Sequence, residues 1–249
     1  MLAGTANYET IGHPPSLLRG PDKTDFTSIV LVMTYTGEVT VGGPTDTREA
    51  GDLVITKIAV GPMANNAYLL RCALTGEQVL IDAADQADLL LDQIGDRGLA
   101  RVVTTHGHGD HWQALAAVVE ATSAETVAGA DDANDLPIAV DQPVRTGARI
   151  RVGSCELEVI EIVGHTPGSI VLAYDDPDGI THLFTGDSLF PGGVGRTWSP
   201  DDFIRLLSDV ESKIFDRFDD DTWFYPGHGH DSTLGAERAS IPEWHARGW

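Results

Sequence analysis

The segment Thr105-His106-Gly107-His108-Gly109-Asp110-His111 places three imidazoles and one carboxylate within six consecutive positions. On an extended backbone His106 and His108 point to the same side, because side chains alternate with period two. Gly107 and Gly109 lack a Cβ and let the chain turn, so that Asp110 and His111 can face a neighbouring point in space. Nitrogen and oxygen donors of this kind suit borderline divalent ions, Zn first and Fe or Mn as alternatives. So dense a run of ligand-type groups reads as a metal site rather than a polar surface loop.

Three more ligand-type residues follow expected strands. They are His165 in Val163-Gly164-His165-Thr166-Pro167-Gly168-Ser169, Asp187 in Phe184-Thr185-Gly186-Asp187-Ser188, and His228 in Pro226-Gly227-His228-Gly229. Loops at strand ends are where a sheet scaffold presents functional groups. Any one of the three alone would be an ordinary loop residue. With the first run they make seven groups, enough for two ions with three or four protein ligands each and positions left for water. Among the 9 His of the chain, His13 and His245 lie near the termini and read as solvated, and His182 leads into an apolar strand and reads as structural. His230 is open between a substrate contact and a surface residue, and Arg196 between a substrate carboxylate and a structural ion pair. Ser169 and Ser188 neighbour ligands but have no base at nucleophile spacing, which argues against covalent serine catalysis. Trp112, Tyr225, Cys72 and Cys155 read as core residues.

These groups need a scaffold. Short β-branched and apolar runs bounded by Gly, Pro and Asp predict strands over 53–60, 67–73, 78–81, 101–105, 126–129, 157–163, 170–174, 182–184 and 223–225. Helical spacing predicts helices over 86–94, 111–121 and 201–215, the last with Phe203, Leu206, Leu207, Val210 and Ile214 on one stripe. A helix from about His111 would fix Asp110 and His111 on rigid structure. Strands with interspersed helices, without strict alternation, favour an α+β layered domain over a doubly wound parallel sheet. The late helix and strand mirror the block at 101–121, which hints at a sandwich of two halves. Residues 1–50 carry Pro14-Pro15, Gly20-Pro21 and Gly42-Gly43-Pro44 and read as a weakly organised extension. One or two strands are expected within 27–41, Met33 marks an alternative start, and 51–249 is read as the catalytic domain.

Composition limits the partners. Against 16 Lys+Arg stand 38 Asp+Glu, a net charge of −22 over 249 residues. A chain of that sign without a basic run is repelled by phosphate backbones and anionic membrane surfaces. No apolar stretch approaches the ~20 residues of a membrane span, and no signal-peptide core is visible. Two Cys are too few for a disulfide framework and fit a reducing compartment. A cytoplasmic protein acting on a small molecule is expected, with the oligomeric state open.

The ordered motifs His-x-His-x-Asp-His, Gly-His-Thr-Pro-Gly-Ser, Gly-Asp and Pro-Gly-His-Gly, spread between Leu53 and Glu237, together resemble the metallo-β-lactamase superfamily. The resemblance implies a four-layer αβ/βα sandwich with the site at one edge of the two sheets. It implies one ion on His106, His108 and His165, a second on Asp110, His111 and His228, and Asp187 as the bridge. The segment from Gly186-Asp187 to Gly195-Arg196 is similar to the glyoxalase II and persulfide dioxygenase branches. The tail from Pro226 to Arg238 is similar to short glyoxalase II-like hydrolases. Asp187 stands where one lactamase group has a cysteine ligand, which disfavours that group. The expected activity is hydrolysis of a small thiol conjugate's thioester by a hydroxide shared between two ions, with Asp110 aligning the nucleophile. A mono-iron persulfide dioxygenase using His106, His165 and Asp187, or a lactonase or β-lactam hydrolase, are the alternatives. Few residues follow His228, so the helical segment that contacts glutathione in full-length glyoxalase II is expected to be absent, and the thiol carrier stays open.

Overall fold

In the computed structural model, which describes residues 35–177 and 179–248, the strands assemble into two sheets. The first has seven strands in sequence order: β1 (Asp46–Ala50), β2 (Leu53–Val60), β3 (Asn65–Cys72), β4 (Gln78–Ile81), β5 (Arg101–Thr104), β6 (Glu125–Gly129) and β7 (Gln142–Val144). Neighbours from β1 to β4 are antiparallel, and those from β4 to β7 are parallel. Parallel neighbours require crossovers, and two of these are the helices α1 (Ala87–Ile94) and α2 (Leu115–Thr122).

The second sheet begins with β8 (Arg149–Val152), β9 (Cys155–Glu161), β10 (Ile170–Asp175) and β11 (Thr181–Gly186). A small hairpin follows, β12 (Leu189–Phe190) with β13 (Gly193–Val194), and then α3 (Pro200–Val210). The chain returns through β14 (Trp223–Pro226) and β15 (Ser232–Thr233) and ends in α4 (Leu234–Arg238) and α5 (Ile241–Arg247). The strand order is β15-β14-β11-β10-β9-β8, and β14 lies parallel to β11.

Alternation along the strands explains the layering. Leu53, Ile55, Tyr68, Leu70, Val79, Ile81 and Val103 meet Leu157, Val159, Ile170, Leu172, Phe184 and Tyr225 between the sheets. The opposite face of the first sheet, with Ile58, Val60, Leu69, Leu80 and Val102, is covered by Leu90 and Ile94 of α1 and Leu115 and Val118 of α2. On the other side Ile160, Val171, Leu183 and Phe224 lie under Leu206, Leu207 and Val210 of α3 and Trp244 of α5. The order helix–sheet–sheet–helix is the expected four-layer α+β sandwich. Cys72 and Cys155 are free thiols within the inter-sheet core. Among the described residues no helix is long and apolar enough to cross a membrane.

Four departures from the sequence reading have structural causes. Asp46–Ala50, read as part of a loose extension, pairs with β2 over its whole length. As an edge strand with a polar outer face it shows no apolar periodicity. Tyr35 packs against the inter-sheet core, and Thr36 and Gly37 donate their N–H groups to Asp46 Oδ2. No strand forms over 35–41, whereas residues 27–34 and the Met33 start lie outside the described residues. The helix expected from His111 is a single 3₁₀ turn, Gly109–His111, and α2 starts at Leu115. Between them Gln113 and Ala114 give their N–H groups to the carbonyls of Ala84 and Ala83 instead of to a helix. The expected 201–215 helix is α3, capped by Ser199 at its start, followed by a wider π turn over Glu211–Phe215.

His182 is fully buried, with Nδ1 at 2.9 Å from the Tyr225 hydroxyl. Burial, helped by the nearby Arg48 cation and opposed by Asp176, pushes its pKa from 6.5 down to about 4. Unfolded chain therefore binds a proton that folded chain refuses between these two values. Stability is fully present above about pH 6.5 and is lost as pH falls toward about 4. His182→Gln should flatten this acid limb in urea titrations across that range. Parallel limbs in parent and variant would show that His182 is not its source.

Candidate metal centre

The seven sequence-selected groups leave four strand ends and converge at one edge of the sandwich. The His106–His111 loop leaves β5, His165 lies between β9 and β10, Asp187 follows β11 and His228 follows β14. His106, His108 and His165 offer ligand atoms that all lie within 4.8 Å of one another, and so do Asp110, His111 and His228. Asp187 stands between the two groups. Its Oδ1 is 3.3 Å from His111 Nε2, and its Oδ2 is 3.6 Å from His165 Nε2 and 3.7 Å from His228 Nε2.

Four of the imidazoles spend Nδ1 on the protein. His111 Nδ1 donates to Asp82 Oδ2 at 2.8 Å. Thr105 Oγ1 donates to the same Asp82 oxygen and accepts from His106 Nδ1 at 3.0 Å. His165 Nδ1 donates to the Arg196 carbonyl at 2.7 Å, and His228 Nδ1 to the Met63 carbonyl at 3.2 Å. This fixes the tautomer and leaves each Nε2 lone pair facing the common centre, the usual outer-sphere arrangement of a metal site. Asn65 Nδ2 donates to Asp110 Oδ2 at 2.8 Å and holds that carboxylate.

The loops themselves are tied together by Asp132. It is fully buried and accepts from the N–H groups of Gly107 and Gly168 and from the Thr166 hydroxyl. Trp112 closes the same loop by donating Nε1 to the Gly107 carbonyl. Two glycines are required for steric reasons. A Cβ on Gly227 would stand 2.2 Å from Asp187 Oδ1, and one on Gly195 would stand 1.8 Å from the Asp187 carbonyl oxygen.

The donor set fits divalent metal. His111 Nε2 and Asp187 Oδ1 are buried and have no hydrogen-bond partner of acceptable geometry, although buried polar atoms are normally satisfied. Burial, reinforced by the neighbouring imidazoles, holds His106 well below the ordinary histidine range. Burial also lowers His165, against an opposing pull from Asp187. Both imidazoles are thus neutral at physiological pH. Burial would raise Asp187, but His111, His228 and His165 outweigh it, and its pKa falls. Asp110 is likewise lowered against burial, by the Asn65 hydrogen bond and by His111 and His228. Burial would lower His111, but Asp82 and Asp187 push it up to about 10. Metal binding to this set is therefore coupled to proton release.

Beside the centre lies a cavity of about 360 Å³ lined by Val194, Gly195, Arg196, Thr197, Trp198, Phe203 and Arg247. Trp198 borders His108, with ring centroids 6.4 Å apart, and the Arg196 guanidinium lies over the Trp198 ring at 4.6 Å. No described carboxylate pairs with Arg196. His230 is not gathered into the cluster; it is exposed and paired with Glu38 at 2.8 Å. Asp82, Asp132, Asn65 and Arg247 were not singled out in the sequence. Asp82 ends Val79-Leu80-Ile81-Asp82, a carboxylate leaving a buried strand, and that signal could have exposed it. Asp132 reads as a solvated turn residue beside Asp131, and nothing local separates the two.

Over residues 60–234 the chain matches the family model of the Metallo-beta-lactamase superfamily. The chain belongs to this superfamily. It is 38% identical over 134 residues to a hydroxyacylglutathione hydrolase of Cereibacter sphaeroides (strain ATCC 17025 / ATH 2.4.3), covering 53% of this chain and 51% of that protein. The chain thus spans about half the length of that relative. Similar solved structures include TTHA1623 in a di-iron-bound form, 30% identical with a TM-score of 0.62, over 75% of this chain and 98% of the other. ETHE1 from Myxococcus xanthus is 28% identical with a TM-score of 0.68, over 77% and 84% of the two chains.

Asp82→Asn keeps the size of the side chain but removes the charge that orients His111 and, through Thr105, His106. Zn²⁺ affinity measured by competition with a chromophoric chelator should fall about 10- to 100-fold, as for other outer-sphere partners. An unchanged affinity would mean that Asp82 does not orient these ligands.

Proposed function

We propose that this chain is a binuclear metallohydrolase that cleaves a thioester of a small anionic thiol conjugate. The observation that carries the reading is Asp187, whose carboxylate oxygens lie 3.6 Å from His165 of one group and 3.3 and 3.7 Å from His111 and His228 of the other. His106, His108 and His165 would hold one ion, Asp110, His111 and His228 the other, and Asp187 both. The di-iron form of TTHA1623 and the hydroxyacylglutathione hydrolase relative support it. Divalent ions held at such a site supply a hydroxide near neutral pH and polarise the scissile carbonyl.

The protein's own groups do the rest. Asp110 stays a carboxylate, because Asn65, His111 and His228 lower its pKa, and it accepts a hydrogen bond from the attacking nucleophile and aligns it. Arg196 and Arg247 line the adjoining cavity, whose size suits a small ligand, and they bind a substrate carboxylate there. A thiolate departs without a dedicated general acid. The net charge of −22 argues against nucleic acid as substrate. Two buried free thiols fit a cytoplasmic location.

Metal analysis of purified protein together with turnover of S-lactoylglutathione tests the reading. Two ions per chain and hydrolysis are expected, and Asp110→Asn should lower kcat about 100-fold or more; near-parental turnover with both ions retained would discard this role. Arg196→Ala should raise KM for a carboxylated thioester with kcat near that of the parent. One iron per chain, no hydrolysis, and oxygen uptake with a persulfide would replace this reading by the dioxygenase.

A further inference from the structure

Along β2 the inward positions are Leu53, Ile55 and Lys57, and all three are fully buried. The alternation calls for an apolar residue at the third position, and the chain places an ammonium there instead. Its Nζ donates to the Gly37 carbonyl at 2.8 Å, the Gly229 carbonyl at 2.7 Å and Asp231 Oδ1 at 2.7 Å, so all three protons are used. The Asp231 side chain is 1% exposed, and its other oxygen accepts from the Tyr35 hydroxyl. A buried ion pair is a poor stabiliser compared with apolar residues of the same volume. What it supplies is a fixed geometry, and two of the three acceptors, on Gly229 and Asp231, closely follow His228.

His228 needs such support more than the other ligands do. His106 and His111 are buried and oriented through Asp82, and His165 is held by a 2.7 Å bond to the Arg196 carbonyl. The His228 side chain is 23% exposed, and its Nδ1 bond to Met63 is 3.2 Å long. Its position therefore depends on the backbone that carries it. That backbone is gripped before His228 by Asn66 and Tyr68 at the Pro226 carbonyl and after it by Lys57 and Asn66 at the Gly229 carbonyl. Gly229 sits at φ +71°, a left-handed turn that swings the chain from His228 toward Asp231.

We infer that Lys57, Asp231 and Tyr35 form a buried clamp that positions His228, and so tune the ion site of Asp110, His111 and His228 independently of the site of His106, His108 and His165. This inference rests on the two-ion reading above. Lys57 and Asp231 are positioning residues: they act through the His228 loop and touch no substrate.

Removing one partner leaves the other charged and buried, which endangers folding. The informative variant is therefore Lys57→Met/Asp231→Asn, which removes both charges and keeps an acceptor for Tyr35. Zn²⁺ titrations by calorimetry, with Co²⁺ absorption as the spectroscopic readout, compare the two sites in one molecule. The first ion should bind as in the parent and the second about 10- to 100-fold more weakly. A merely structural defect would loosen both sites alike and would overturn the clamp. A folded variant that binds both ions with parental affinities overturns it as well. A parent that binds a single ion instead overturns the two-ion reading, and the clamp with it. Tyr35→Phe, which removes only the hydroxyl donated to Asp231, is the second arm should the double variant not fold. A several-fold weakening confined to the second ion is expected, and no change overturns the clamp.

Discussion

His106, His111, His165 and His228 each give the Nδ1 proton to an acceptor of the protein, and in doing so turn Nε2 toward one point. That division of labour within the ring is the constraint on which the site depends. An imidazole free to rotate or to change tautomer would offer a donor as often as an acceptor. Asp82 carries the largest share, because one carboxylate receives His111 directly and His106 through Thr105. It sits at φ +56° at the exit of β4, a conformation that a non-glycine residue keeps only when its surroundings hold it there.

The electrostatics of the chain divides into two populations. Surface carboxylates such as Asp131 and Asp220 pair with Arg145 and Arg238 and contribute little beyond solubility. A small buried set is committed elsewhere: Asp82 and Asp132 to hydrogen bonds that hold loops, Asp231 to an ammonium, and Asp187 to the centre. The same residue type thus serves as solvent face, tie and ligand-type group, according to which partners the fold delivers. Beside the centre, Arg196 and Arg247 line the cavity and offset the negative charge locally.

The sandwich explains why the ligands come from so many places. Parallel pairing of β4 with β5, and of β11 with β14, brings strand exits from both halves of the chain to one edge. Close approach is then limited by sterics, which is why Gly195 and Gly227 lie against Asp187. Trp112, read as core, also has a polar task at this edge, since its indole N–H closes the ligand loop on Gly107.

Local chemistry determined much of this protein in advance. Donor type and spacing marked the seven ligand-type residues, and strand alternation marked the buried faces and the layered α+β class, because both signals lie within a few consecutive residues. The polar edge strand β1, the 3₁₀ turn before α2, and the roles of Asp82, Asp132 and Lys57 were decided only by the tertiary structure. Each depends on a partner outside its own segment: β2 for Asp46–Ala50, Ala83 and Ala84 for the turn, His111 for Asp82, Gly168 for Asp132, and Asp231 for Lys57. A lysine in an apolar alternation or an aspartate in a polar loop has no local signature of what it will meet. Its role exists only once the fold has removed it from water and placed a complementary group within hydrogen-bonding reach.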